Sequence, residues 1–62
     1  MKVREMLHLL AEDGWNVVVM RGSHRQLKHL TKPGRVTVAG KGSDDLHPKT
    51  AASILRQAGL RQ

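Results

Sequence analysis

Cysteine, tyrosine and phenylalanine are missing from this 62-residue chain, and Trp15 is its one aromatic side chain. Without cysteine there is no disulfide staple and no thiolate metal site, which favours a reducing, cytoplasmic setting. A lone tryptophan opening an apolar run reads as core. Recognition of single strands by stacking bases on aromatic rings is therefore not expected. No apolar run nears the ~20 residues that a membrane span requires. The opening "MKVREMLHLLAEDGW" mixes acids into its apolar pattern, so no signal peptide is expected. Residues 1 to 62 are expected to form one domain, which at this size buries only roughly 60% of the surface its unfolded state exposes.

Acid is scarce too, and unevenly placed. Eleven Lys and Arg stand against five Asp and Glu, a formal charge of +6. Between Gly14 and Ser43 there is no acid, while Arg21, Arg25, Lys28, Lys32, Arg35 and Lys41 all fall there. A one-sided cationic field points to a polyanionic partner, nucleic acid first. The plainer reading is a charged surface that serves solubility. A membrane surface is disfavoured, because the basic segment reads as strand and turn rather than amphipathic helix.

Two helices flank that segment. Val3, Met6, Leu7 and Leu10 recur at helical spacing, which predicts a helix over residues 2–13 that Gly14 stops. "HPKTAASILRQAGL" repeats the pattern with Ala51, Ile54, Leu55 and Ala58. Pro48 suits its first position, and Gly59 closes it with Leu60 folded back on Leu55. Between the helices, "WNVVVM", His24 to Leu30 and "RVTVA" read as strands. "RGS" and the type II turn of "TKPGR" connect them. "AGKGS" superficially resembles a phosphate loop but lacks the required spacing, and reads as a plain loop. The order is α-β-β-β-α, an α+β fold: a three-stranded antiparallel meander with both helices on one face and the other face open.

Strand parity then decides which residues meet solvent. Leu27, Val36 and Val38 belong toward the helices, so His24, Gln26, Lys28, Arg35 and Thr37 gather on the open face. His29 shares the parity of Leu27 and is expected to pack at the sheet margin. His8 reads as a solvated helix residue, and His47 as the start of the second helix. No histidine pair, cysteine pair or carboxylate cluster offers metal-ligand spacing, so neither a metal nor another cofactor is expected.

The frame "LLxxDGW…RGSHxxxKH…TKPGxVTV…DLxPxTxxSILxQAGL" resembles the HicA family of toxins across essentially the whole chain. The resemblance implies a fold like a double-stranded-RNA-binding domain, cleavage of messenger RNA, and a HicB-type antitoxin as protein partner. It also implies that His24, the histidine of the Gly-Ser-His segment, is the catalytic residue. Ser23, Gln26, Lys28, Arg35 and Lys41 are then the RNA contacts. Many members carry an aromatic residue where this chain has Leu27. Many also place a histidine about where Lys41 stands; if that histidine helps catalysis in the relatives, this chain uses Lys41 instead, does without, or cleaves slowly.

Such chemistry requires no metal if the ribose 2′-hydroxyl attacks its neighbouring phosphate. Histidine suits the proton transfers because its ordinary pKa of ~6.5 lies near working pH. Nearby cations would stabilise the charged transition state, and parity alone nominates Lys28 and Arg35. The rival readings are a module that grips double-stranded RNA without cutting it, and an inert member of a larger assembly whose cationic face meets an acidic protein.

Overall fold

The computed structural model describes residues 1–60. Its elements run α1 (Val3–Glu12), β1 (Trp15–Arg21), β2 (His24–His29), β3 (Arg35–Val38) and α2 (Pro48–Gln57). Helix α1 buries Val3, Met6 and Leu10, the stripe its periodicity requires, with Leu7 half-buried beside them. Its first-turn amides would be orphans. The 40–46 loop satisfies two of them: Val3 N–H donates to the Asp44 carbonyl at 2.9 Å, and Arg4 N–H to Gly42 at 3.1 Å. At the other end Gly14 takes φ 103°, and a Cβ there would stand 2.8 Å from Nε2 of His29. Only glycine leaves that helix exit open.

Helix α2 starts as its sequence promises. His47 caps it, with Nδ1 accepting from the Lys49 amide at 3.1 Å, and Pro48 follows. Its end is a Schellman motif. Leu60 N–H donates to Leu55 at 2.8 Å and Gly59 N–H to Arg56 at 3.1 Å, which satisfies carbonyls that would otherwise be stranded. His8 is exposed on α1 and pairs with Glu12 one turn on, at 2.7 Å.

The strands form one antiparallel sheet in the order β1-β2-β3. Leu27, Val36 and Val38 are buried and meet Val3, Met6, Leu10, Trp15, Ile54 and Ala58 in a single core. Both helices therefore cover one sheet face, as the parity argument requires. Gly34 has the positive φ of 80° that a type II Pro-Gly turn places there. No helix among the described residues is long and apolar enough to cross a membrane.

One strand departs from plain alternation. β1 pairs regularly with β2 from Trp15 to Val17, skips Val18, and resumes at Val19. This bulge leaves one residue without a partner and reverses the parity of everything after it. Counting by twos from buried Trp15 sends Arg21 toward the helices. The bulge sends it to the open face.

Candidate functional site

The paired residues define rows across the open face. Asn16, Lys28 and Arg35 form one row, and Val19, Gln26 and Thr37 the next. The last row pairs Arg21 with His24 beside the Gly22–Ser23 turn. The turn is two residues long, and Gly22 takes φ 57° while Ser23 does not have positive φ. That is the type II′ pattern, whose twist suits a tight hairpin and fixes the register of the pair that closes it.

His24 is exposed, and none of its ring atoms has a hydrogen-bond or ion-pair partner among the described residues. Lys28, Arg35 and Thr37 are exposed and Gln26 is half-buried on the same face, where parity put them. Arg35 donates through Nη1 to Oε1 of Gln26 at 2.7 Å, so two of the expected RNA contacts hold each other. The ion pairs among the described residues involve Lys2, His8, His29 and Lys32, and none involves Arg21, Lys28, Arg35 or Lys41. Among the described residues, no acid neutralises the positive charge on this face.

Ser23 and Lys41 come together through the backbone. Gly40 N–H donates to the Ser23 carbonyl at 3.2 Å, continuing the β2–β3 ladder past Val38. Arg25, half-buried on the helix side, donates through Nη1 to the Gly40 carbonyl at 2.8 Å and the Ser23 carbonyl at 3.3 Å. It clamps the hairpin tip to the loop that carries Lys41. The Lys41 amide in turn donates to the Asp44 carboxylate at 2.9 Å. Lys41 is exposed and one residue from an anchored contact of the His24 hairpin.

The six-cation window is therefore not one surface. Arg25 belongs to the helix side and holds carbonyls. Lys32 is taken up by Asp13 at 2.6 Å and by the Ala58 carbonyl at 3.0 Å. Both residues are closed by contacts distant in sequence, which charge counting does not register. Arg21 was missed as an open-face residue, yet the sequence did hold a signal for it. Counting outward from a two-residue Gly-Ser turn, rather than forward from Trp15, sets Arg21 opposite His24.

His29 lies on the other face, at the sheet margin as expected. Its ring meets Trp15 edge-on, with centroids 5.3 Å apart. Nδ1 accepts from the backbone amides of Thr31 at 3.0 Å and Lys32 at 3.1 Å. That leaves the proton on Nε2, which donates to the Asp13 carbonyl. The Lys32 ammonium, hydrogen-bonded to the Asp13 carboxylate, holds that carboxyl below its ordinary range, against a smaller desolvation that pushes it up. These groups tie the end of α1, the β2–β3 turn and the end of α2 together.

No group of three or more His, Cys, Asp or Glu side chains converges among the described residues. The open face offers instead an imidazole without a partner and cations without an ion-pair partner among the described residues, an arrangement chemically suited to proton transfer at a phosphodiester. A family model described as the HicA toxin of bacterial toxin–antitoxin systems matches residues 3–60. No individually curated protein matches the chain. The family match spans α1 through the Schellman stop and includes the Gly-Ser-His hairpin, so the chain belongs to the HicA toxin family of bacterial toxin–antitoxin systems.

Proposed function

We propose that this toxin is a metal-independent endoribonuclease that cleaves messenger RNA, with His24 as its general acid or base. One observation carries the reading: among the described residues, His24 is exposed and unpartnered on a sheet face whose cations pair with no acid. RNA laid on that face would meet Lys28, Arg35 and Gln26 along one strand of contacts, and Ser23 and Lys41 at the hairpin end. The 2′-oxygen forms a bond to phosphorus and the bond from phosphorus to the 5′-oxygen breaks, leaving a 2′,3′-cyclic phosphate. His24 either takes the 2′-hydroxyl proton or delivers one to the departing oxygen. One positioned group of this kind is worth about 10²–10⁴-fold in rate.

Family membership brings a cognate antitoxin. We infer that it is of the HicB type and neutralises the toxin by covering His24 or keeping RNA from the cationic face, in the cytoplasm. Acidic character in that partner would speed its association.

Turnover tests the reading. A defined RNA is incubated with purified protein in EDTA, without ribosomes, beside a His24→Ala variant that still binds RNA. Cyclic-phosphate products from the native protein alone support it. Equal loss of RNA in both samples, or none in either, rejects it and leaves a double-stranded-RNA-binding module as the reading.

A further inference from the structure

We propose that Arg21 grips the scissile phosphate beside His24, a role that deepens the RNA-cleaving reading and rests on it. The register pairs Arg21 directly with His24 across β1 and β2. Directly opposed residues on one sheet face hold their Cβ atoms about 4.5–5.5 Å apart, so both side chains can reach one phosphate group. Lys28 lies four residues along the same strand, and Arg35 is its cross-strand partner. At ~3.3 Å per residue, both stand about 13 Å from His24, two pleats away. They share its face but are placed to hold flanking phosphates rather than the reacting one.

The chemistry of Arg21 fits that position. Its side chain is exposed and makes no hydrogen bond or ion pair among the described residues, so the guanidinium is uncommitted. Arg25, its neighbour across the bend, shows the contrast: its guanidinium is occupied by the Gly40 and Ser23 carbonyls. A guanidinium stays protonated through the reaction and presents a planar fork that matches two phosphate oxygens. As the 2′-oxygen attacks, charge builds on the two non-bridging oxygens, where such a fork acts most strongly. The Gly22–Ser23 turn sets the Arg21–His24 pair, and the bulge at Val18 absorbs one residue so that Trp15 stays in the core while the guanidinium emerges on the imidazole's face.

The test separates position from charge. Arg21→Ala, Arg21→Lys and the exchange M20R/R21M are compared with the native protein. The exchange keeps net charge but moves the guanidinium to exposed Met20, which pairs with Arg25 on the helix side. Thermal melts confirm folding, and single-turnover rates are read at saturating protein in EDTA. Arg21→Ala is expected to lose about 10²-fold, as removal of one transition-state donor does. The exchange should be equally slow, and Arg21→Lys intermediate. A native rate in Arg21→Ala, or in the exchange, overturns the proposal. Binding to an uncleavable 2′-O-methyl RNA is measured on the same proteins. Should the native protein fail to cut RNA, the nuclease reading falls alone if Arg21→Ala and the exchange both flatten the salt dependence by about 0.7 in slope, one phosphate contact on a single strand. If neither changes that slope, the phosphate grip falls as well.

Discussion

His24 and His29 begin and end the same strand, and the odd number of steps between them sends their rings to opposite faces. His24 meets solvent with no partner among the described residues, at the edge of a surface where none of them pairs an acid with a cation. The His29 side chain is only 12% exposed and is engaged at both nitrogens and along its ring edge. The two regions divide the chain's basic and acidic groups differently. Around His29, Lys32 is consumed by Asp13 and by the end of α2. Around His24, Arg21, Lys28 and Arg35 have no ion-pair partner among the described residues. The difference teaches that residue type says little here. Parity sets one histidine on the open face, where we propose chemistry, and turns the other inward to hold the fold.

Replacing the two histidines should give opposite results, and His24→Ala should give the larger one. A fall of about 10²–10⁴-fold in RNA cleavage is expected from losing the proton-transfer group. Its melting temperature should barely move, because an exposed side chain away from special features is worth about 0.5 kcal/mol or less. His29→Ala should do the reverse. It removes the acceptor of the part-buried Lys32 amide, the donor to the Asp13 carbonyl and the ring packed on Trp15, together about 2–4 kcal/mol. A domain this size has about 3–9 kcal/mol in all. The midpoint should therefore fall by roughly 10–25 °C. If His29→Ala stayed folded with native stability but stopped cutting RNA, the division between the two regions would be wrong.

Acid should weaken the latch in its own pH window. The carboxyl of Asp13 sits below its ordinary value in the folded chain, chiefly through the Lys32 hydrogen bond. The unfolded chain then binds the proton more readily, so stability rises with pH through this window. The contribution is complete above the unfolded value of about 3.9 and is lost as pH falls through the lower folded one. Asp13→Asn should melt earlier than the native protein near neutral pH, and the two curves should converge below about pH 4. The backbone carbonyl that accepts from His29 is untouched by this change. Melts that stay parallel down to strong acid would show that the Asp13–Lys32 pair contributes nothing to stability.

Much of this arrangement was legible because it is local. The stripes of α1 and α2, the Pro48 start, the Schellman stop at Gly59 and the Pro-Gly turn each depend on residues within one or two turns of one another. So did the placing of His24, Gln26, Lys28, Arg35 and Thr37 on one face, since β2 and β3 alternate without interruption. Illegible were the features that depend on closure. Lys32 finds Asp13 nineteen positions back, and Arg25 finds Gly40 fifteen positions on. Neither partner is marked by a pattern around it. The bulge lies between these cases. Val17, Val18 and Val19 are alike, so nothing in that run says where alternation slips, and only the length of the turn betrays that it must.

The smallest expected effects belong to Lys28 and Arg35, and they sharpen where the chemical centre ends. Both lie in one row two pleats from His24, a distance suited to phosphates further along the RNA on one side of the proposed scissile one. Their contribution is then electrostatic and shared equally by substrate and transition state. Such uniform binding alters affinity and leaves the rate at saturation alone. Each single alanine variant should therefore reduce the salt slope of single-strand RNA binding by about 0.7, with single-turnover cleavage at saturating protein unchanged. Arg35→Ala carries one further consequence: it releases Gln26, whose side-chain oxygen the guanidinium holds at 2.7 Å. Comparing Arg35→Ala with a Gln26→Ala/Arg35→Ala double variant shows whether the freed amide makes up part of the lost contact. A saturating rate that drops in Lys28→Ala as far as in Arg21→Ala would extend the reacting region along β2, and the phosphate at the centre would have to be shared among more side chains than the Arg21–His24 row contains.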